Sequence, residues 1–161
     1  MAFYQDIGAL VLGTRLKRIG DRFLSEIASV YKSLNIPFEP SWFPIMYLLR
    51  DRDELLITEI AAELDVTHSA VSQLVSVLQK KKLIVTLTDA EDRRKRKVRL
   101  SDTGKDMLLS LNEIWNGMQQ AMDELLGEGK HLPDLFNGLS ELESAMAETP
   151  ISERILKKIN K

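Results

Sequence analysis

The chain has 161 residues, 44% apolar and 29% charged, with a net charge of −2, two histidines and no cysteine. Such a chain can build one ordinary domain, or a domain with a helical arm. The cysteine count excludes disulfides, thiol chemistry and cysteine-held zinc, and makes a reducing, cytoplasmic address the expectation.

No apolar run approaches the roughly 18 to 20 residues needed to cross a bilayer. The opening "MAFYQDIGAL" lacks the basic and small-residue features of a secretion signal, so no membrane partner is expected. Residues 5–34 read as a long helix, because Leu16, Ile19, Phe23, Ile27, Val30 and Leu34 recur at three- and four-residue steps. "NIPFEP" breaks it twice with proline. A second helix is expected over 41–50, carrying Trp42, Phe43, Met46, Leu48 and Leu49. Two short helices follow. "ITEIAAEL" offers Ile60, Ala61 and Leu64 to a core. After a turn at Asp65-Val66, "THSAVSQLVSVLQKKK" opens on Thr67 as N-cap and turns Val71, Leu74, Val75 and Leu78 inward. The β-rich runs "LIVTLT" (83–88) and "KVRL" (97–100) make a hairpin.

Ser101 caps the next helix, where Leu108, Leu111, Trp115, Met118, Met122 and Leu125 keep a 3-4-3-4-3 seam. "GEGK" ends it. Pro133 then starts another helix with Leu132, Leu135, Leu139, Leu142 and Met146, and Pro150 a last one with Ile151, Ile155 and Ile159. The expected fold is mostly α with a small β wing (α+β). A winged helix-turn-helix over 37–101 sits between dimerisation helices at 1–36 and 102–161. The terminal stripes exceed what a winged helix of about 60 residues can cover. They pack on each other, on another chain, or both.

Charge is unevenly spread. Lys80 to Arg99 holds nine basic residues against three acidic ones, a net of +6, so the rest carries −8. One surface that meets a polyanion explains that asymmetry. The major groove of B-DNA admits one helix, and the second helix of such a pair presents its first turns to base edges. Its outward positions are Thr67, His68, Ser69, Ser72, Gln73 and Ser76, with no acid among them. Gln73 can pair with adenine, and the serines can meet bases or phosphates. On the hairpin, Asp92, Arg93, Arg94, Lys95 and Arg96 suit phosphates and the minor groove. Asp92 is spaced to orient the Arg94 guanidinium. The plainer alternatives are an amphipathic helix with a polar surface, a solvated basic turn, and a localisation signal of similar composition.

Residues 41–104 resemble the MarR family of bacterial transcription regulators. "EIAAELDVTHSAVSQLVSVLQKKKLI" is similar to the family's helix-turn-helix. "DAEDRRKRKVRLSDTG" is similar to its wing, with an aspartate-any-arginine signature at Asp92-Arg93-Arg94, then Ser101 and Gly104. The resemblance implies a two-fold dimer on double-stranded DNA, with terminal helices interlocked and recognition helices in successive major grooves of a pseudo-palindrome. It implies that Arg94 enters the minor groove, that Asp92 holds it, that Ser69, Ser72 and Gln73 read bases, and that His68 meets a phosphate. Repression is the commoner outcome in that family.

The resemblance also implies a small aromatic or phenolic effector between the dimer helices and the DNA-binding lobe. Phe23, Trp42, Met46, Tyr47 and Trp115 are the candidate walls, although aromatics at helical spacing usually just pack. No cofactor or metal is expected, since His68 and His131 are isolated. No catalytic set appears, so no enzyme is expected. The alternatives are a winged-helix protein–protein module and a regulatory fragment of a larger protein.

Overall fold

The computed structural model describes Tyr4 and residues 6–88 and 95–159. The chain divides into two compact units, Met1–Leu109 and Ser110–Lys161.

In the first unit the long helix α1 spans Leu12–Ser33, after a 3-10 turn over Gly8–Val11. It starts later than the apolar period suggests. Gly8 has φ +67°, and a left-handed residue cannot continue a right-handed helix. The stripe Leu16, Ile19, Phe23 and Val30 stays exposed, each at 38 to 39%. The residue α1 buries instead is Tyr31, whose ring meets Phe38 edge-on with centroids 5.0 Å apart. The expected second helix is a 3-10 turn, Pro40–Trp42, running into α2, Phe43–Leu48. Prolines sit in the first turn of both, where a missing N–H loses no bond.

Strand β1, Leu55–Leu56, leads directly into α3, Ile57–Glu63. The Glu59 carboxylate accepts from the Leu56 N–H at 2.7 Å, satisfying a donor at the α3 start. Helix α4 spans His68–Lys80 and is capped as expected: Thr67 Oγ1 accepts from the Ala70 N–H at 3.2 Å. Strands β2, Ile84–Thr88, and β3, Arg96–Leu100, pair antiparallel from Ile84↔Leu100 to Thr88↔Arg96. Strand β1 pairs the other edge of β3, giving the order β1-β3-β2. The core of this unit holds Tyr31, Ile45, Met46, Leu49, Ile60, Val71, Leu78, Leu83, Ile84 and Val98.

Three helices end alike. Asn35, Asp65 and Lys82 have φ of 55°, 49° and 61°. Each is the left-handed residue of a Schellman motif. The amides of Ile36, Val66 and Leu83 donate to Tyr31, Ala61 and Leu78 at 2.9, 3.1 and 3.0 Å. The last of these turns the chain from α4 into the wing.

Helix α5, Asp102–Gly127, crosses from one unit to the other. Ser101 Oγ accepts from the Gly104 N–H at 3.0 Å and donates to the Lys82 carbonyl, so one hydroxyl caps α5 and ties it to the end of α4. Gly104 is required here, because a Cβ would stand 2.0 Å from the Leu83 carbonyl oxygen.

In the second unit α6 spans Leu135–Glu148 and α7 spans Ile151–Ile159. Pro133 precedes the α6 N-cap, Asp134, instead of lying in the first turn. The Arg154 guanidinium donates to the Ala145 and Thr149 carbonyls at 2.7 and 3.0 Å, closing the C-terminus of α6 from α7. The seam of α5 is uneven. Leu111 and Trp115 are buried, Met118 and Met122 half-buried, and Leu125 exposed. Ile151, Ile155 and Ile159 are all exposed, Ile159 at 70%.

Candidate nucleic-acid interface

Helix α4 divides by period. Val71, Val75 and Leu78 face the core, with Leu74 half-buried beside them. His68, Ser72 and Ser76 follow one another at four-residue steps along the flank of that core face, with Gln79 one turn further. Ser69 and Gln73 form a neighbouring, fully exposed ridge.

The wing supplies a facing wall. Its pleat puts Arg96 on the same face as Val98, and Thr88 and Thr86 lie opposite these in register. That face turns to α4. His68, Ser72, Ser76 and Gln79 on one side, and Thr86, Lys95 and Arg96 on the other, line a cleft of about 260 Å³ floored by Leu56, Ile57 and Val75. No carboxylate lines it among the described residues. Such a slot accepts an anion between two cationic side chains and a row of hydroxyls.

The polar groups differ in readiness. Thr67 Oγ1 spends a lone pair on its cap, leaving its hydroxyl proton to donate outward. Ser76 donates to the Ser72 carbonyl at 2.8 Å, so its proton must leave that bond to reach an acceptor such as phosphate. Ser72 Oγ lies 3.4 Å from His68 Nδ1, a long contact. Lys97, on the other wing face, is held 2.6 Å from the Glu54 carboxylate, so the pleat splits the basic run between the cleft and a structural pair. Asp92, Arg93 and Arg94 lie outside the described residues.

Of the residues expected to meet DNA, the structure brings His68, Ser72, Ser76, Lys95 and Arg96 to one cleft, and adds Gln79, Thr58 and Thr86, which sequence reasoning did not name. Gln79 was findable, since it continues the His68-Ser72-Ser76 stripe. The two threonines carry no local signal, because tertiary packing alone delivers them.

The aromatic candidates differ in their surroundings. Trp42, 6% exposed, lines a cavity of about 380 Å³ with Lys32, Phe38, Glu39 and Lys81. The Lys81 ammonium lies 5.8 Å from its ring centroid. Met46 is fully buried. Tyr47 is stacked by Phe43 at 5.1 Å and by the Arg50 guanidinium at 4.2 Å. Arg50 also donates to Asp51, and that hydrogen bond holds the Asp51 carboxyl below its ordinary pKa. Phe23 lies on the exposed face of α1, and Trp115 is buried on the part of α5 in the other unit.

Two short helices joined by a tight turn, then a hairpin whose face closes a polar cleft with the second helix, define a winged helix-turn-helix. Residues 36–95 match the model of the MarR family. Solved structures agree in fold. A MarR/EmrR family transcriptional regulator from Acinetobacter sp. ADP1 is 18% identical, with TM-score 0.67 over 85% of this chain and 95% of that one. MepR of S. aureus, solved as a DNA complex, is 22% identical, with TM-score 0.69 over 83% and 96%. The transcriptional regulator MOSR of M. tuberculosis, also solved with DNA, is 15% identical, with TM-score 0.71 over 87% and 98%. Among curated proteins, none matches the sequence.

Proposed function

We propose that the chain is a sequence-specific, double-stranded-DNA-binding transcriptional regulator. It acts as a homodimeric repressor on a pseudo-palindromic operator. One observation carries this reading: the cleft sets the His68-Ser72-Ser76 stripe of α4 against Lys95 and Arg96, with no carboxylate lining it among the described residues. Helix α4 enters the major groove, Ser69 and Gln73 meet base edges, and the cleft takes a backbone phosphate. The β2–β3 ladder ends at Thr88 and Arg96, and the chain joining them carries Asp92, Arg93 and Arg94. By family resemblance these extend the contact into the minor groove. That two of the structural neighbours were solved on DNA supports the same reading.

Dimerisation through segments 1–36 and 102–161 is supported by the open apolar faces of α1 and α7. An isologous two-fold contact would cover them and space two α4 helices for paired half-sites. The cavity at Trp42 is the place for a small aromatic anion, with Lys32 and Lys81 as its cations. Lys81 follows the end of α4, so a ligand there biases the recognition helix directly.

Selection of bound sites from random duplexes tests the reading. A two-fold consensus is expected, and Gln73→Ala should relax it at one position per half-site. Recovery of unenriched sequence would reject sequence-specific binding, and would favour the protein–protein module if duplex binding were also absent.

A further inference from the structure

His68 is the titratable group of the cleft that two permanent cations leave unexplained. It is the first residue of α4, lies four residues before Ser72, and shares the cleft with Lys95 and Arg96. Histidine is the side chain whose ordinary titration falls between about pH 5 and pH 8. The chain has two, and His131 belongs to the other unit.

Arg96 from β3 and Lys95 beside it are cationic, and the start of α4 carries the positive end of the helix dipole. Thr58, Leu56 and Thr86, which line the same cleft from α3, β1 and β2, are uncharged. Among the described residues, no carboxylate lines the cleft. Glu59 is bound to the Leu56 N–H, Glu63 is paired with Arg52, and Asp65 is exposed on the turn before α4. A phosphate in the cleft would bring an opposite charge to contact distance, which favours the protonated form of an imidazole.

Building on the DNA-binding reading, we propose that His68 in its imidazolium form is the third cation of this cleft, so that DNA binding takes up a proton there. The proton comes from solvent and goes to the imidazole. Both ring nitrogens then donate, one to the phosphate and Nδ1 to the Ser72 hydroxyl oxygen. Linkage fixes the sign. Uptake on binding means affinity rises as pH falls through the histidine range and levels off where His68 is neutral in both states. The expected gain is up to about tenfold per protomer for each unit by which bound phosphate raises the His68 pKa. Because phosphate contacts are indifferent to sequence, the effect does not depend on knowing the operator.

The test uses the full chain and a mixed-sequence duplex of about 30 base pairs, titrated between about pH 5.5 and about pH 8 at constant ionic strength. The wild type should tighten as pH falls. His68→Gln should flatten that dependence, and His68→Arg should bind tightly at every pH. His131→Gln should keep the wild-type slope. Arg96→Ala should weaken binding throughout and still respond to pH. A wild-type affinity indifferent to pH, or a slope that survives His68→Gln, overturns the proton-linked contact and leaves DNA binding standing. Absence of duplex binding at every pH overturns the DNA-binding reading and the proposal with it.

Discussion

The winged-helix core and the helices at the two ends bury their apolar residues to opposite degrees. Within the lobe, Ile60, Val71, Leu78, Ile84 and Val98 are enclosed, and the helix ends are closed by Schellman turns or caps. Along α1 the equally regular stripe of Leu16, Ile19 and Phe23 remains in solvent, as do Ile151, Ile155 and Ile159 on α7. Periodicity alone did not separate these cases. An amphipathic pattern says that a face will be covered, not which molecule covers it. The lobe covers its own faces; α1 and α7 each leave an apolar stripe exposed, of the kind that marks an interface.

The sharpest way to break the contrast is to disrupt the closed side. Gly104→Ala should destabilise the chain by about 3 kcal/mol or more, since the new methyl meets the Leu83 backbone and not a movable side chain. Thermal unfolding monitored by circular dichroism would check this, and an unchanged midpoint would mean that the junction of α4, β2 and α5 is loose. Next in size is the open side. Phe23→Asp places a charge on a face that the chain itself leaves exposed, so folding should survive while the dimer dissociates. Light scattering with a native circular dichroism spectrum would show it. A persistent dimer would move the interface off α1. Trp115→Asp cannot sharpen this contrast, because Trp115 is already buried.

Smaller effects separate the two faces of the wing. Arg96→Ala should weaken duplex binding by about 1 kcal/mol for any sequence and reduce the salt slope by about 1. Lys97→Ala should change binding much less, since Lys97 is held by Glu54. Equal losses in a duplex titration would mean that the pleat does not sort the basic run. Smallest is Lys82→Gly, which removes a left-handed lysine. It should stabilise the fold by about 0.5 to 1 kcal/mol, read from urea unfolding. A loss of stability would show that the Lys82 side chain is needed beyond its backbone turn.

Much of the lobe was legible because its signals are local. Thr67 and Ser101 announce their helices, and the 71-74-75-78 spacing marks the inner face of α4. What escaped was made elsewhere. Strand β1 is two residues long, too short for any alternation, and exists because β3 offers it an edge. The left-handed helix ends at Asn35, Asp65 and Lys82 carry no glycine to signal them. The site divides in the same way. The α4 stripe could be read from its period, whereas the pairing of Lys97 with Glu54 joins residues 43 apart in sequence.

The central claim is that the cleft between α4 and the wing grips the DNA backbone. Its most direct measurement is the duplex association constant of the wild-type chain across a graded salt series. A steep linear fall of log K with log salt is predicted, with a slope of about −0.9 for each phosphate neutralised. Binding that ignores salt, or none at low ionic strength, would contradict it.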